Sequence, residues 1–364
     1  MALQCGIVGL PNVGKSTIFN ALTAAGIAAE NYPFCTIEPN TGVVVVPDSR
    51  LQALEDIVQS SKVVPATVEF VDIAGIVKGA SKGEGLGNKF LANIRETDAI
   101  IHVVRCFDDE NVIHVDGAPD PLRDVETIEL ELGLADLETI EKRLDRATRQ
   151  AKSGDKVGIA ERDFFTILLQ HVSDGKAARS LTVPDVMLPA VKECHLLTIK
   201  PVLYVANVDD ASLASGNDYS AKLEAFASES GAGCLRICGQ VEAELSELDD
   251  EEKAAFLEDM GVAEPGLNRL SRTAYQLLNM QTFFTAGDIE VRAWTIRIGD
   301  LAPRAAGVIH TDFESNFIRA EVIAYDEYIA AGGEAKAKAT GVMRVEGKDY
   351  VMQDGDVVHF RVGV

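Results

Sequence analysis

The segment Gly9-Leu10-Pro11-Asn12-Val13-Gly14-Lys15-Ser16 constrains this chain more than any other. It stands directly behind the apolar run 4–10 and ahead of an amphipathic stretch. The spacing Gly-x4-Gly-Lys-Ser builds a loop whose main-chain N–H groups turn inward around an anion. Glycine supplies backbone angles that a side chain would block. Lys15 then reaches the β- and γ-phosphates of a nucleotide, and the Ser16 hydroxyl ligates Mg²⁺. Asn12, Val13, Gly14 and Thr17 complete the cradle, and the helix that follows offers its positive end to phosphate.

The chain has 364 residues, enough for two or three domains. With 47% hydrophobic and 25% charged residues the composition is that of an ordinary globular protein, so a packed core is expected. No apolar run approaches the roughly 20 residues of a membrane span. Met1-Ala2-Leu3-Gln4 has no basic region ahead of an apolar core, so no signal peptide is expected. The six cysteines are scattered without paired Cys-x-x-Cys spacing, which disfavours zinc and fits reduced thiols in the cytoplasm. A formal net charge of −23 argues against a general nucleic-acid binder, DNA included. Any RNA contact needs a local basic patch. Lys142, Arg146 and Arg149 fall at i, i+4, i+7 spacing and share one helix face, either as such a patch or as a solvated surface.

Apolar runs at 4–10, 43–46, 64–73, 99–104, 201–206 and 235–238 read as strands alternating with helical segments, which gives a parallel sheet with crossover helices. The alternation breaks at 122–199. There Leu130, Leu134, Leu137 and Leu144, then Phe164, Phe165, Ile167, Leu168 and Leu169, recur at helical spacing around Ser153-Gly154-Asp155. The pattern reads as a protruding helical hairpin between two strands. After Met280 the texture changes to short strands and glycines, a separate small α+β domain.

Three further elements narrow the chemistry. Asp72-Ile73-Ala74-Gly75 ends an apolar strand, where Asp72 can hold Mg²⁺ and the Gly75 N–H can touch the γ-phosphate. Thr36 lies in the connection after the first helix, placed to close on the metal as a switch. Asn207-Val208-Asp209-Asp210 follows a strand at the position of a base-reading Asn-Lys-x-Asp, with valine for the lysine; Cys238 and Gly239 would form the second loop beside the base. Ile76 stands where a water-orienting glutamine is common, and isoleucine cannot hydrogen-bond water. His114, in the polar loop 108–117, is the candidate substitute. Cys35 adjoins Thr36, so its oxidation would disturb closure, against the reading of an inert small residue.

Together these residues resemble the YchF/Obg-like ATPase family of P-loop switch proteins. The likeness extends through Lys78–Asn88, Glu264–Arg269, Thr282–Gly287, Arg292–Thr295, His310–Phe313 and Arg344–Tyr350. It implies a Ras-like P-loop nucleotide domain (residues 1–121 and 200–280), a helical coiled-coil insertion (122–199) and a C-terminal α+β β-grasp TGS domain (281–364). It also implies an Mg²⁺-dependent ATPase that prefers ATP to GTP and associates with ribosomes through RNA or protein. The family commonly has Asn-x-x-Glu where this chain has Asn207-Val208-Asp209-Asp210. The competing readings are a GTPase translation factor and an RNA-binding module in which nucleotide only stabilises the fold.

Overall fold

The apolar run behind the phosphate loop forms the strand Gln4–Val8, buried from Cys5 onward. It lies within a six-stranded sheet of order Thr41–Val45, Thr67–Asp72, Gln4–Val8, Ala99–Arg105, Val202–Asn207, Gly233–Ile237. The computed structural model describes residues 3–24, 40–73, 75, 86–115 and 117–363. Pairings from Thr67–Asp72 across to Gly233–Ile237 are parallel, with Ile7 opposite both Asp72 and Ile101. Ala99–Arg105 and Val202–Asn207 are buried at every position, which explains why their sequences are mostly apolar. Parallel order carries the ends of these strands to one edge, where the loops 9–14, 106–117, 208–217 and 238 begin.

The chain divides into two units, Met1–Gly42 with Glu69–Arg269 and Val43–Val68 with Leu270–Val364. The first holds the helical arm and the sheet just described, except Val43–Val45 and Thr67–Val68, which fall in the second. The arm is the 31-residue helix Pro121–Ala151 and the 18-residue helix Lys156–Ser173. Asp120 and Asp155 cap their first turns, accepting from Arg123 N and Gly158 N at 3.3 and 3.0 Å. Gly154, at φ +79°, makes the reversal between them. Ile140, Phe164, Phe165, Leu168 and Val172 form the arm's core with Met187 and Leu196, while Leu137 and Leu144 pack on its margin. Leu130, which the periodicity placed on the apolar stripe, is 57% exposed, because Ile128, Leu132 and Ala135 carry burial in that half of the helix. Asp136 fixes the return to the sheet: fully buried, it accepts from Leu197 N, Thr198 N and Thr198 Oγ1 at 2.7, 2.8 and 2.6 Å. Burial pushes its carboxyl up, and those donors oppose the shift.

The expected single strand 64–73 is two strands. Val63–Val64 pairs in parallel with Val291–Arg292 in the second unit's sheet, and Thr67–Asp72 belongs to the first sheet. Pro65 stands between them; it has no N–H for a ladder and interrupts continuous pairing. Residues 43–68 accordingly pack in the second unit, although the sequence reading left them with the nucleotide fold.

The second unit's sheet has the order Arg344–Glu346, Phe317–Ala324, Asp356–Val362, Met280–Ala286, Val291–Arg297, Val63–Val64. The hairpin Met280–Ala286 with Val291–Arg297 is antiparallel, with Phe283 opposite Trp294. Phe283, Ile296, Phe317, Val322, Met352 and Phe360 build its core beneath the helix Ala302–Ile309. The helix Ser49–Val58 is tied to this unit by Arg50, which donates to Asp354 at 2.7 Å and lies 5.0 Å over the Phe284 ring. No helix among the described residues is long and apolar enough to cross a membrane.

Candidate functional site

Lys15 opens the helix Lys15–Ala24, 7% exposed, and its Nζ donates to Leu10 O at 2.7 Å. Burial pushes its ammonium down to about 8, partly opposed by the charge of Asp72. A buried amine pushed down in this way is returned to its charged form by a nearby anion such as phosphate. Gly14, at φ +93°, is required twice: a Cβ there would also lie 2.2 Å from Asn207 Nδ2. Gly75 adjoins the lysine, since a Cβ on it would stand 3.1 Å from Lys15 Nζ.

Ser16 Oγ donates to Asp72 Oδ2 at 3.3 Å. Among the described residues Asp72 Oδ1 is buried with no hydrogen-bond partner. A buried carboxylate oxygen without a donor is costly unless a cation meets it. A carboxylate and a hydroxyl, both hard oxygen donors, fit Mg²⁺. Thr36, the third expected metal ligand, lies outside the described residues, as do Cys35 and Ile76.

Asn207 ends its strand buried and braces the site. Its Nδ2 donates to Val13 O at 2.8 Å and its Oδ1 accepts from Gly239 N at 3.0 Å. One side chain thus joins the phosphate loop to the loop holding Cys238 and Gly239. Val208, the next residue, is 2% exposed. Asp209 and Asp210 close the following turn, accepting from Ser212 N and Ala211 N at 2.8 Å each. A cleft of about 550 Å³ runs between these loops, bordered by Asn12, Gly14, Lys15, Ser16 and Thr17 on one side and Asn207, Val208, Asp210, Cys238 and Gly239 on the other. Burial pushes the Cys238 thiol up, so it stays a neutral thiol.

Sequence reasoning missed the third wall, Phe107, Asp108, Asp109 and Val112, with Gln240 opposite. Arg105 builds it. The guanidinium, 1% exposed in residue terms, donates to Phe107 O, Val112 O and Asp109 O at 3.1, 2.7 and 3.1 Å and lies 4.6 Å over the Phe107 ring. The signal that could have found it is an arginine closing a mostly apolar, fully buried strand.

His114 is not among the residues bordering the cleft. Its Nε2 meets Asp124 Oδ2 at 2.9 Å, both side chains buried. Its loop nevertheless reaches the phosphate loop, because Asn12 Nδ2 donates to Ile113 O at 3.1 Å. Lys142, Arg146 and Arg149 stand exposed on the arm and are not among the residues bordering the cleft. Arg143 between them turns inward to Glu161 and Glu193, each at 2.9 Å.

Two family models match. MMR_HSR1, described as 50S ribosome-binding GTPase, covers residues 4–144, and YchF-GTPase_C, described as a protein of unknown function, covers 280–363. Curated proteins called ribosome-binding ATPase YchF match over the whole of both chains: 57% identity in Haemophilus ducreyi, 54% in Bacillus subtilis and 53% in Escherichia coli O157:H7. The solved structure of the Schizosaccharomyces pombe YchF GTPase superposes with a TM-score of 0.89 at 36% identity, covering 99% of this chain and 97% of that one. Full-length likeness at this identity, together with the phosphate loop and its cleft, places the chain in the YchF family, P-loop nucleoside triphosphatases.

Proposed function

We propose that this chain is a cytoplasmic, Mg²⁺-dependent ATPase that works as a nucleotide-controlled switch on the ribosome. The observation that carries the reading is Asp72 Oδ1, without a partner among the described residues, on a carboxylate bonded to Ser16, which borders the cleft with Lys15, Asn207 and Gly239. Lys15 neutralises phosphate charge, the loop N–H groups hold it, and Ser16 with Asp72 and Thr36 holds the metal. When bound, Mg²⁺ offsets charge on the transferred phosphoryl group. Nucleotide draws Thr36 and Gly75 onto the γ-phosphate and release follows hydrolysis. With Ile76 in the glutamine position, His114 is the water-orienting candidate, and to act it must leave Asp124.

ATP is the nucleotide we favour, because Val208, buried at 2%, replaces the lysine that packs over guanine. The relatives are named both ATPase and GTPase, and Asp210 on the cleft wall favours the second reading. Calorimetry with ATP and GTP at equal Mg²⁺ decides. A GTP preference of about tenfold, about 1.4 kcal/mol, reverses the assignment. Absence of any purine triphosphate binding, with Lys15→Ala indistinguishable from the parent, removes the switch altogether. The exposed basic face of the arm serves the ribosome, through RNA or protein, and a module that binds ribosomes equally with and without nucleotide defeats that part.

A further inference from the structure

The second unit carries a cavity of about 570 Å³ that the nucleotide chemistry leaves unused. Its origin is a mismatch of strand lengths. Asp356–Val362 pairs along its length with Phe317–Ala324, from Phe317↔Val362 to Ala324↔Asp356. On its other side, parallel pairing with Met280–Ala286 is confined, among the described residues, to Val357↔Phe284. Beyond that bridge the neighbouring strand runs two residues further, to Ala286, and turns away at Gly287, whose N–H bonds Glu290 O at 3.1 Å. Val358–Phe360 line the cavity and, among the described residues, form no ladder pair with Met280–Ala286. A strand edge without a ladder partner is a template for another extended chain.

The walls combine apolar surface with acid. Ile309, Phe313, Ile323 and Phe360 form the apolar part. Asp288, Glu290, Glu321, Tyr328, Glu334 and His359 are the ionisable lining residues, and among the described residues no lysine or arginine lines it. Glu321 stands opposite His359 on adjacent strands, and with Glu334 they bring polar atoms within 4.8 Å of one another. Arg361 and Arg319 approach Glu321 from outside at 2.9 and 3.3 Å, and Lys62 and Arg292 approach Glu290 at 3.5 and 3.7 Å. Glu334 and Asp288 have no ion pair among the described residues. Carboxylates this close favour a cation among them.

We propose that this cavity docks a short extended peptide carrying a basic side chain. The peptide adds its main chain to the Val358–Phe360 edge and sets its cation against Glu334, beside Glu321 and His359. Main-chain pairing supplies affinity and the acidic pocket supplies selectivity. The volume falls in the range of ligand sites, about 300–1,000 Å³. A lone divalent ion at Glu321, Glu334 and His359 leaves the strand edge and the apolar walls unused. The inference is independent of the nucleotide reading.

The test is an array of random hexapeptides probed with the full-length chain, followed by titration of the tightest binders. Binders are expected to hold a lysine or arginine between apolar residues. Replacing that residue by glutamine, or methylating alternate peptide amides, is expected to weaken binding by about tenfold or more. Glu334→Lys and, separately, Asp288→Lys are expected to do the same, with nucleotide turnover and melting unchanged; the second variant stands if the first misfolds. The proposal is overturned by an array without binders, by binders with no basic preference, or by indifference to amide methylation or to both charge reversals. Stoichiometric Zn²⁺ binding lost in His359→Ala, with no peptide bound, overturns it in favour of a metal site.

Discussion

His114 Nε2 lies 2.9 Å from Asp124 Oδ2, with side chains 1% and 3% exposed. Asp124 sits in the first turn of the helix Pro121–Ala151, where the helix end favours a carboxylate. The pair holds the imidazole away from the cleft while Asn12 keeps the same loop on the phosphate loop. We expect His114→Ala to lower turnover by about 10²-fold or more, the usual contribution of a positioned general acid–base group, with nucleotide affinity unchanged. Asp124→Asn, which preserves shape and weakens the charge-assisted bond, should alter turnover only while His114 is present. Single-turnover hydrolysis across the double-mutant cycle measures this, and full additivity removes the coupling.

Lys15 gives a pH dependence with a definite sign. Burial lowers its folded pKa to about 8 from 10.5, so in the empty site the ammonium deprotonates as pH rises through 8. Bound phosphate favours the charged form, so binding above pH 8 takes up a proton and affinity falls with rising pH. In the apo protein the unfolded chain holds this proton more tightly between 8 and 10.5, so the lysine's penalty on folding shrinks across that window. Isothermal titration in buffers of different ionisation enthalpy reads the proton directly; uptake that is flat across the window contradicts the assignment.

The phosphate loop was legible because its spacing is a local demand of backbone geometry, and Gly14 at φ +93° shows that demand met. The strands were legible for a related reason: burial on both faces leaves mostly apolar runs, as in Ala99–Arg105, where His102 is the one polar residue before the final arginine. What sequence did not reveal depends on distant partners. Val63–Val64 joins a sheet strand more than two hundred residues away, at Val291–Arg292, and no local pattern encodes that choice. Arg105 binds main-chain carbonyls at 107, 109 and 112, which have no side-chain signature. Leu130 was misread because periodicity gives the period of a stripe and leaves open which neighbour covers it.

Arg105 therefore makes a prediction of its own. Arg105→Ala removes the donors to Phe107 O, Val112 O and Asp109 O and the support beneath the Phe107 ring. Carbonyls left without donors cost about 1–3 kcal/mol each when they stay buried, so the loop will open to solvent instead. We expect nucleotide affinity to fall by about tenfold, about 1.4 kcal/mol, with the sheet intact by circular dichroism. Amide exchange at 106–112 should quicken; unchanged exchange with unchanged affinity shows that the wall stands without its arginine.

The arm separates charge used for packing from charge left for a partner. Arg143, with a side chain 14% exposed, pairs with Glu161 and Glu193, whereas Lys142, Arg146 and Arg149 on the same helix are exposed. Reversing Arg143 to Glu sets it against those two carboxylates and should lower the melting temperature. Breaking a partly buried pair and adding like charge costs about 2–4 kcal/mol. Reversing the exposed three should leave melting unchanged, since exposed charges contribute little to the fold. Co-sedimentation with ribosomes should fall by about tenfold or more in the triple variant, and most steeply at low salt, where each lost phosphate contact weighs most. A triple variant that co-sediments like the parent at every salt concentration would assign the basic face to solvation and move the ribosome contact elsewhere on the chain.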